Sequence, residues 1–278
     1  MASEAALEVW GDPIEHSLSP VLHSAAYRQL GWDWTYGRRR VTEAAFAREL
    51  AASGSALRGL SLTMPLKTAA FAAAATRDDR AELTGAVNTL LLTGPARRGF
   101  NTDVGGIVRS LAEEGVDAVE KARIVGAGAT ATSALVALAE LGARHVYVAA
   151  RRAVAVAPLQ ELGERLGMTV APVPLTAHAF APVPLTIATL PGGAGLDPLA
   201  ADALAGAGGL LLDVVYGHWP TDLAAAWDRA GGRAVSGAGM LLHQAVLQIR
   251  IFRSGDPAEP LPDEDAVVAV MRRALMGG

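Results

Sequence analysis

Of the 24 basic side chains in this chain, only Lys67 and Lys121 are lysine, and its only asparagines are Asn88 and Asn101. Both amino acids have A-rich codons, and an alanine- and arginine-heavy chain is the expected product of a genome biased against them. A lysine kept under that drift is a candidate for work arginine cannot do. Arginine stays protonated in proteins, whereas a lysine whose pKa is lowered gives up its proton and regains it. Lys67 closes the stretch SLTMPLK (61–67), apolar and β-leaning up to its proline. The two asparagines lie in GAVNT (85–89) and FNTD (100–103), and the second segment also carries Asp103. Asn and Asp are common in turns for local hydrogen-bonding reasons. That accounts comfortably for one such segment, and less well for two in a chain so poor in Asn. Ser17 and Ser19 flank the start of an expected helix, where hydroxyls, backbone N–H groups and the helix dipole attract an anion. Ser19 is also a good N-cap in its own right.

A second chemical signal is Gly126-Ala127-Gly128-Ala129-Thr130-Ala131. This is the GxGxxG/A pattern of dinucleotide binding. The first glycine makes a tight turn, the second lets backbone approach a pyrophosphate, and the small third residue allows close helix–strand packing. The motif is weak alone, but here it follows ARIV and opens a long apolar helix that leads to a second strand. That strand ends in Ala149-Ala150-Arg151-Arg152. An NAD site usually has an acid there for the ribose 2′-hydroxyl. Two arginines and no acid favour the 2′-phosphate of NADP.

The elements that must position these residues are legible in outline. LEVWGDP (7–13) reads as a strand and turn, and the next segment as a helix stopped by Gly31. Residues 42–52 and 66–76 read as helices, 57–64 and 85–93 as strands, and 100–115 as a turn entering a helix. Residues 122–152 form one βαβ unit. A helix near 158–167, a strand end at TIATLP (186–191) and a strand at 208–216 continue the alternation. Two helices, 239–252 and 263–276, end the chain. The segment APVPLT occurs at 171–176 and again at 181–186, a Pro-rich duplication expected beside an edge element.

The bulk properties narrow the function. A net charge of −4, with no basic tail or arginine stripe, disfavours nucleic acid. The short run Arg38-Arg39-Arg40 reads as a solvated face. Without cysteine there is no disulfide framework and no thiolate nucleophile or metal site. The histidines His16, His23, His145, His178, His218 and His243 show no HxxxH-type ligand spacing, and no metal is expected. No GxSxG elbow is present. The N-terminus lacks signal-peptide character and no apolar run reaches membrane-spanning length, so a cytoplasmic protein without membrane partners is expected.

Taken in order, GDPIEHSLSP, SLTMPLK, GAVNT, FNTD, VGAGATA, LLDVVY and SGAGMLLHQA resemble the signatures of the shikimate dehydrogenases, over nearly the whole chain. The resemblance implies an α/β fold: an N-terminal α/β substrate domain (1–103), a Rossmann-like NADP-binding domain (104–237), and C-terminal helices (238–278) returning to the first domain. It implies NADP-dependent, reversible reduction of 3-dehydroshikimate to shikimate. Lys67 and Asp103 match the catalytic pair. Ser17 and Ser19 match the serines at the substrate carboxylate, Thr63 and Tyr216 line that end, and Asn88 and Gln244 match groups that bind ring hydroxyls. Gly126 to Ala131, Arg151 and Thr189 match the cofactor site, with Gly237 and Met240 near the nicotinamide. Arg152 is expected to substitute for a basic residue that the family has further along that loop and this chain lacks. The chain departs from the family pattern at Ser61, where Asn is usual, at Ala150, and at Ser236-Gly237. A quinate or aminoshikimate dehydrogenase, and a non-catalytic NADP sensor on the same fold, are the rival readings. The small-molecule substrate is the expected partner, to a monomer or homodimer.

Overall fold

The computed structural model describes residues 5–54, 56–176, 179–217 and 219–277. His178 and His218 lie outside the described residues. The chain divides into two compact units, one of residues 1–106 with 242–278 and the other of residues 107–241.

The first unit is built on a six-stranded mixed sheet. In chain order its elements are β1 (Ala5–Gly11), α1 (Ser19–Leu30), β2 (Trp34–Arg40), α2 (Glu43–Ala52), β3 (Gly59–Leu62), α3 (Lys67–Ala73), β4 (Thr76–Arg77), α4 (Asp79–Thr84), β5 (Thr89–Leu91), β6 (Arg98–Phe100) and the start of α5 (Thr102–Glu113). The strand order is β2-β1-β3-β5-β6-β4. β1 pairs in parallel with β2 and β3, β5 runs antiparallel to β3 and β6, and β4 is parallel to β6. Trp10, Phe46, Leu60, Leu66 and Leu90 form the buried centre of one face. β2 is an edge strand, and the Arg38-Arg39-Arg40 run belongs to it as its exposed end. Arg39 pairs with Glu8, Arg40 with Asp12, and Arg38 donates to the Glu15 carbonyl. Charge on an edge strand discourages pairing with another chain.

The second unit carries β7 (Lys121–Val125), α6 (Ala129–Glu140), β8 (His145–Ala150), α7 (Ala157–Arg165), β9 (Thr169–Pro174), β10 (Leu185–Ala188), α8 (Pro198–Gly206), β11 (Leu210–Asp213), α9 (Asp222–Arg229) and β12 (Arg233–Ser236). All strand pairs are parallel and the order is β12-β11-β10-β7-β8-β9. Numbered within the sheet, this is the 3-2-1-4-5-6 order of a doubly wound dinucleotide-binding fold. Such a sheet is covered on both faces, which is why its strands read as continuous apolar runs. The first APVPLT copy lies within and just after β9, an edge strand where Pro172 and Pro174 cost no internal ladder bond. The second copy leads into the central strand β10.

α10 (Ala238–Ser254) begins in the second unit's stretch of chain, and from Leu242 onward belongs to the first. α11 (Glu264–Leu275) packs against α1. Arg250 ties these last helices together through Glu264 and the Pro257 carbonyl. The mixed α/β architecture, with a parallel Rossmann-order sheet and C-terminal helices joining the first unit, is the expected fold class.

Candidate active site

β3 ends at Leu62, and α3 begins at Lys67 after the intervening Met64-Pro65. The Lys67 Nζ lies 2.6 Å from Asp103 Oδ2, and the two side chains are 20% and 8% exposed. Lys121, by contrast, is an exposed residue at the start of β7. Asp103 sits in the first turn of α5 because Asn101 caps that helix, its Oδ1 accepting from the N–H groups of Asp103 and Val104 at 3.0 and 3.4 Å. Asp78 fixes Asn101 in turn: its carboxylate accepts from Asn101 N and from Ala81 N, the latter capping α4. Burial pushes the Asp78 carboxyl above its ordinary pKa, opposed by those two backbone donors. Asn101 is therefore turn and cap chemistry.

Asn88 is different. It is 2% exposed and uses its whole amide. Nδ2 donates to Asp103 Oδ1 and to Thr102 Oγ1, both at 2.8 Å. Oδ1 accepts from Thr102 N and Thr89 Oγ1, both at 2.9 Å. Each Asp103 oxygen thus has its own donor: Asn88 on Oδ1, Lys67 on Oδ2. Gln244, on α10, joins the cluster through Thr102 Oγ1 at 3.5 Å. Within the first unit, the fold brings Lys67, Asp103, Asn88 and Gln244 together.

Ser17 and Ser19 stand at the start of α1, with the Ser19 N–H directed at Ser17 Oγ at 3.4 Å. Ser19 is not the N-cap: Leu18 occupies that position, in helical conformation and without a side-chain cap, and Ser19 with Pro20 opens the first turn. Pro20 is thus the second helical residue, still in the first turn, where its missing N–H costs no intrahelical bond. The Ser19 side chain is buried. Thr63 follows β3, and its N–H donates to the Trp10 carbonyl at 3.0 Å. A Cβ on Gly11 would lie 2.4 Å from Thr63 Cγ2, so only glycine fits beside it.

Two residues the motifs did not mark, Tyr36 and Gln248, complete this cluster through Ser61. Ser61, the departure from the expected Asn, is buried; it accepts from Tyr36 OH at 2.6 Å and donates to Gln248 Oε1 at 2.8 Å. Gln248 lies one helical turn beyond Gln244 on α10. The available signal was its i,i+4 spacing from Gln244 in an otherwise apolar run, which puts both amides on one helix face.

In the second unit, the cofactor signature sits where the strand order reverses, between β7 and β10, the position at which such sheets bind nucleotides. Gly126 has φ +112° and packs on Thr189, whose Oγ1 would be 2.6 Å from an added Cβ and itself donates to the Val125 carbonyl at 3.1 Å. Gly128 is the N-cap of α6, has no side-chain cap, and faces open space within 4 Å of a would-be Cβ. Its neighbours Ala127, Ala129 and Thr130 are exposed or half-buried, while Ala131 is buried against the sheet. This fits a pyrophosphate approaching uncapped N–H groups at a helix N-terminus. Arg151 and Arg152 follow β8, both exposed. Tyr216 is three residues beyond β11 and 39% exposed. Gly237 follows β12, so close to the Val214 carbonyl that a Cβ would lie 2.1 Å away, and Met240 is buried in the first turn of α10. Among the described residues, no three His, Asp or Glu side chains are grouped to hold a metal ion.

A Rossmann-order sheet with a glycine turn at its switch point, joined to a second α/β unit that holds a lysine–aspartate pair, defines a two-unit nucleotide-binding α/β protein. Residues 9–90 match the shikimate dehydrogenase substrate binding domain. The chain is 40% identical to a shikimate dehydrogenase (NADP(+)) of Methylobacterium radiotolerans, over 86% of this chain and 87% of that one. It is 39% identical to the crystal structure of Mycobacterium tuberculosis shikimate dehydrogenase, covering 99% of this chain and all of that one, with a TM-score of 0.82. A structure of the Thermus thermophilus enzyme in complex with NADP(H) and shikimate is 29% identical, covering 97% and 99% of the two chains, with a TM-score of 0.79. The chain belongs to the shikimate dehydrogenase family.

Proposed function

We propose that this chain catalyses the reversible, NADP-dependent reduction of 3-dehydroshikimate to shikimate in the route to chorismate and the aromatic amino acids. The observation that carries the reading is the Lys67–Asp103 pair, 2.6 Å apart and largely shielded from water, in a chain that keeps almost no other lysine. Bound NADPH supplies the hydride, and NADP⁺ takes it back in the reverse direction. The chain's own residues bind, orient and move a proton. Lys67 Nζ gives a proton to the oxygen of the ring carbonyl as it becomes an alkoxide, and removes it from the hydroxyl in reverse. Acid–base help of this kind contributes typically ~10²–10⁴-fold. Asp103 aims the ammonium through Oδ2. Asn88, held to Oδ1, and Gln244 are offered to ring hydroxyls. The partial exposure of Lys67 lets its proton be replaced from solvent.

Ser17 and Ser19, at the uncapped start of α1, receive the substrate carboxylate, with Thr63 and Tyr216 lining that end. Gly126 to Ala131 cradle the cofactor pyrophosphate, with Thr189 behind the turn. Arg151 and Arg152 meet the 2′-phosphate, while Gly237 and Met240 serve the nicotinamide end. The enzyme acts in the cytoplasm as a monomer or homodimer. No described helix is long and apolar enough to cross a membrane.

The test is initial-rate reduction of NADP⁺ and NAD⁺ with shikimate and with quinate, for wild type and Lys67→Ala. Shikimate with NADP⁺ is expected to dominate and to collapse in the variant. A dominant quinate or NAD⁺ rate overturns the assignment in favour of a catabolic relative, and tight NADP binding without turnover in favour of a sensor.

A further inference from the structure

α10 carries a second buried amide that no substrate role requires. Gln248 is 2% exposed, and every hydrogen-bonding position of its side chain is used. Oε1 accepts from Ser61 Oγ at 2.8 Å and faces His23 Nε2 at 3.3 Å. Nε2 donates to the Asn88 carbonyl at 3.3 Å and to Thr89 Oγ1 at 3.1 Å. An amide has two donor hydrogens and one acceptor oxygen, so this set permits one orientation. The flipped amide would point its oxygen at the Asn88 carbonyl, acceptor against acceptor.

The consequence runs along a line of single-hydrogen donors. Tyr36 OH donates to Ser61, leaving the Ser61 hydrogen for Gln248. Because Gln248 donates to Thr89 Oγ1, the Thr89 hydrogen goes outward, to Asn88 Oδ1 at 2.9 Å. With Asn88 Oδ1 receiving that hydrogen and the Thr102 N–H, Asn88 Nδ2 is committed to Thr102 Oγ1 and Asp103 Oδ1. Behind Gln248, His23 is wholly buried and stacked on Tyr36 with ring centroids 3.9 Å apart. Its other nitrogen meets Tyr27 OH at 2.9 Å. Such a fully satisfied buried network is rigid, because any member that turns leaves an unpaired group in a low-dielectric interior.

We infer that Gln248 is a positioning residue for the acid–base pair, fixing through Thr89 the Asn88 amide that holds Asp103 against Lys67. The inference rests on the catalytic reading of Lys67 and Asp103. The test uses the full chain with Gln248→Met, Thr89→Val and the double variant. Because the chain has only two asparagines, selective ¹⁵N labelling of Asn side chains yields two amide signals. Asn101, held by Thr84 and the Ala86 carbonyl, is the internal control for folding.

In Gln248→Met the Asn88 amide is expected to shift and exchange faster with solvent while Asn101 keeps its wild-type signal. Per folded protein, kcat with shikimate is expected to fall ~10- to 100-fold, since small misplacements of catalytic groups are costly, with KM for NADP⁺ unchanged. Thr89→Val should reproduce the loss, and the double variant should be no worse than the poorer single. An unshifted, protected Asn88 amide overturns the inference, as do multiplicative losses in the double variant. The amide readout needs no turnover, so a wild type inactive on shikimate would sink the functional reading while the Asn88 signal still decides this one.

Discussion

Lys67 Nζ and Asp103 Oδ2 are 2.6 Å apart, and the aspartate is the more buried of the two. A buried ion pair adds little net stability, but removing one partner strands the other charge. Lys67→Ala is therefore expected to lower kcat by ~10²–10⁴-fold with a small change in KM for shikimate, as loss of an acid–base group does. Lys67→Arg keeps the charge and is expected to be nearly as inactive, because guanidinium does not give up its proton. Steady-state kinetics of both variants check this, and an active Lys67→Arg enzyme would refute proton transfer by this residue.

Gly128 separates cofactor binding from folding. Nothing lies within 4 Å of a Cβ built there, and its φ of −95° suits any residue. Gly128→Val should leave the thermal midpoint close to wild type and weaken NADP⁺ binding by more than tenfold, about 1.4 kcal/mol or more. Titration calorimetry beside thermal melts reads both. Gly126→Ala should also destabilise the second unit, since the residue sits at φ +112° against Thr189.

Arg151 and Arg152 are exposed beyond β8, where the 2′-phosphate of NADP is expected. The Arg151→Ala/Arg152→Ala pair should raise KM for NADP⁺ by ~10-fold or more through lost charge-assisted hydrogen bonds. KM for NAD⁺, which lacks that phosphate, should barely move. Equal losses for both cofactors would place the arginines elsewhere in binding.

His23 should make the protein acid-sensitive. Burial lowers its pKa to about 3 from an ordinary 6.5, against the opposing hydrogen bond with Gln248. Between those values the unfolded chain binds a proton that the native one refuses. His23 therefore costs no stability above pH 6.5. As pH falls from there towards 3, stability drops by about 1.4 kcal/mol per unit. Chemical denaturation across this range should show that slope, and His23→Gln should flatten it. A wild-type stability independent of pH in this window would exclude a neutral buried imidazole.

Much of the site could be read locally. Lys67 and the GAGATA turn stood out by residue type and local pattern, because glycine turns and strand–helix transitions are set by neighbours in the chain, whereas Asp103 and Asn88 drew their expected roles from the family resemblance. The βαβ unit at 122–152 was clear for the same local reason, whereas α8, α9 and β12 of the second unit went unread. Strands buried on both faces are long apolar runs, whereas β4, β5 and β6 have two or three residues each and are held by their ladder partners. α4 escaped notice because six residues are too few for a periodic signal.

By itself, then, the sequence determined which residues could exchange a proton, where a dinucleotide turn would form, and which family the motifs resemble. Only the tertiary structure decided which of the two asparagines caps a helix and which holds the Asp103 carboxylate. It also decided what Ser61 does, since its partners Tyr36 and Gln248 are 25 and 187 positions away in the chain. Hydrogen-bond direction in a buried network depends on every member at once, and no local pattern encodes it. That is why Gln248, one more polar residue in an apolar helix, acquires a role only when Thr89 and Asn88 are folded against it.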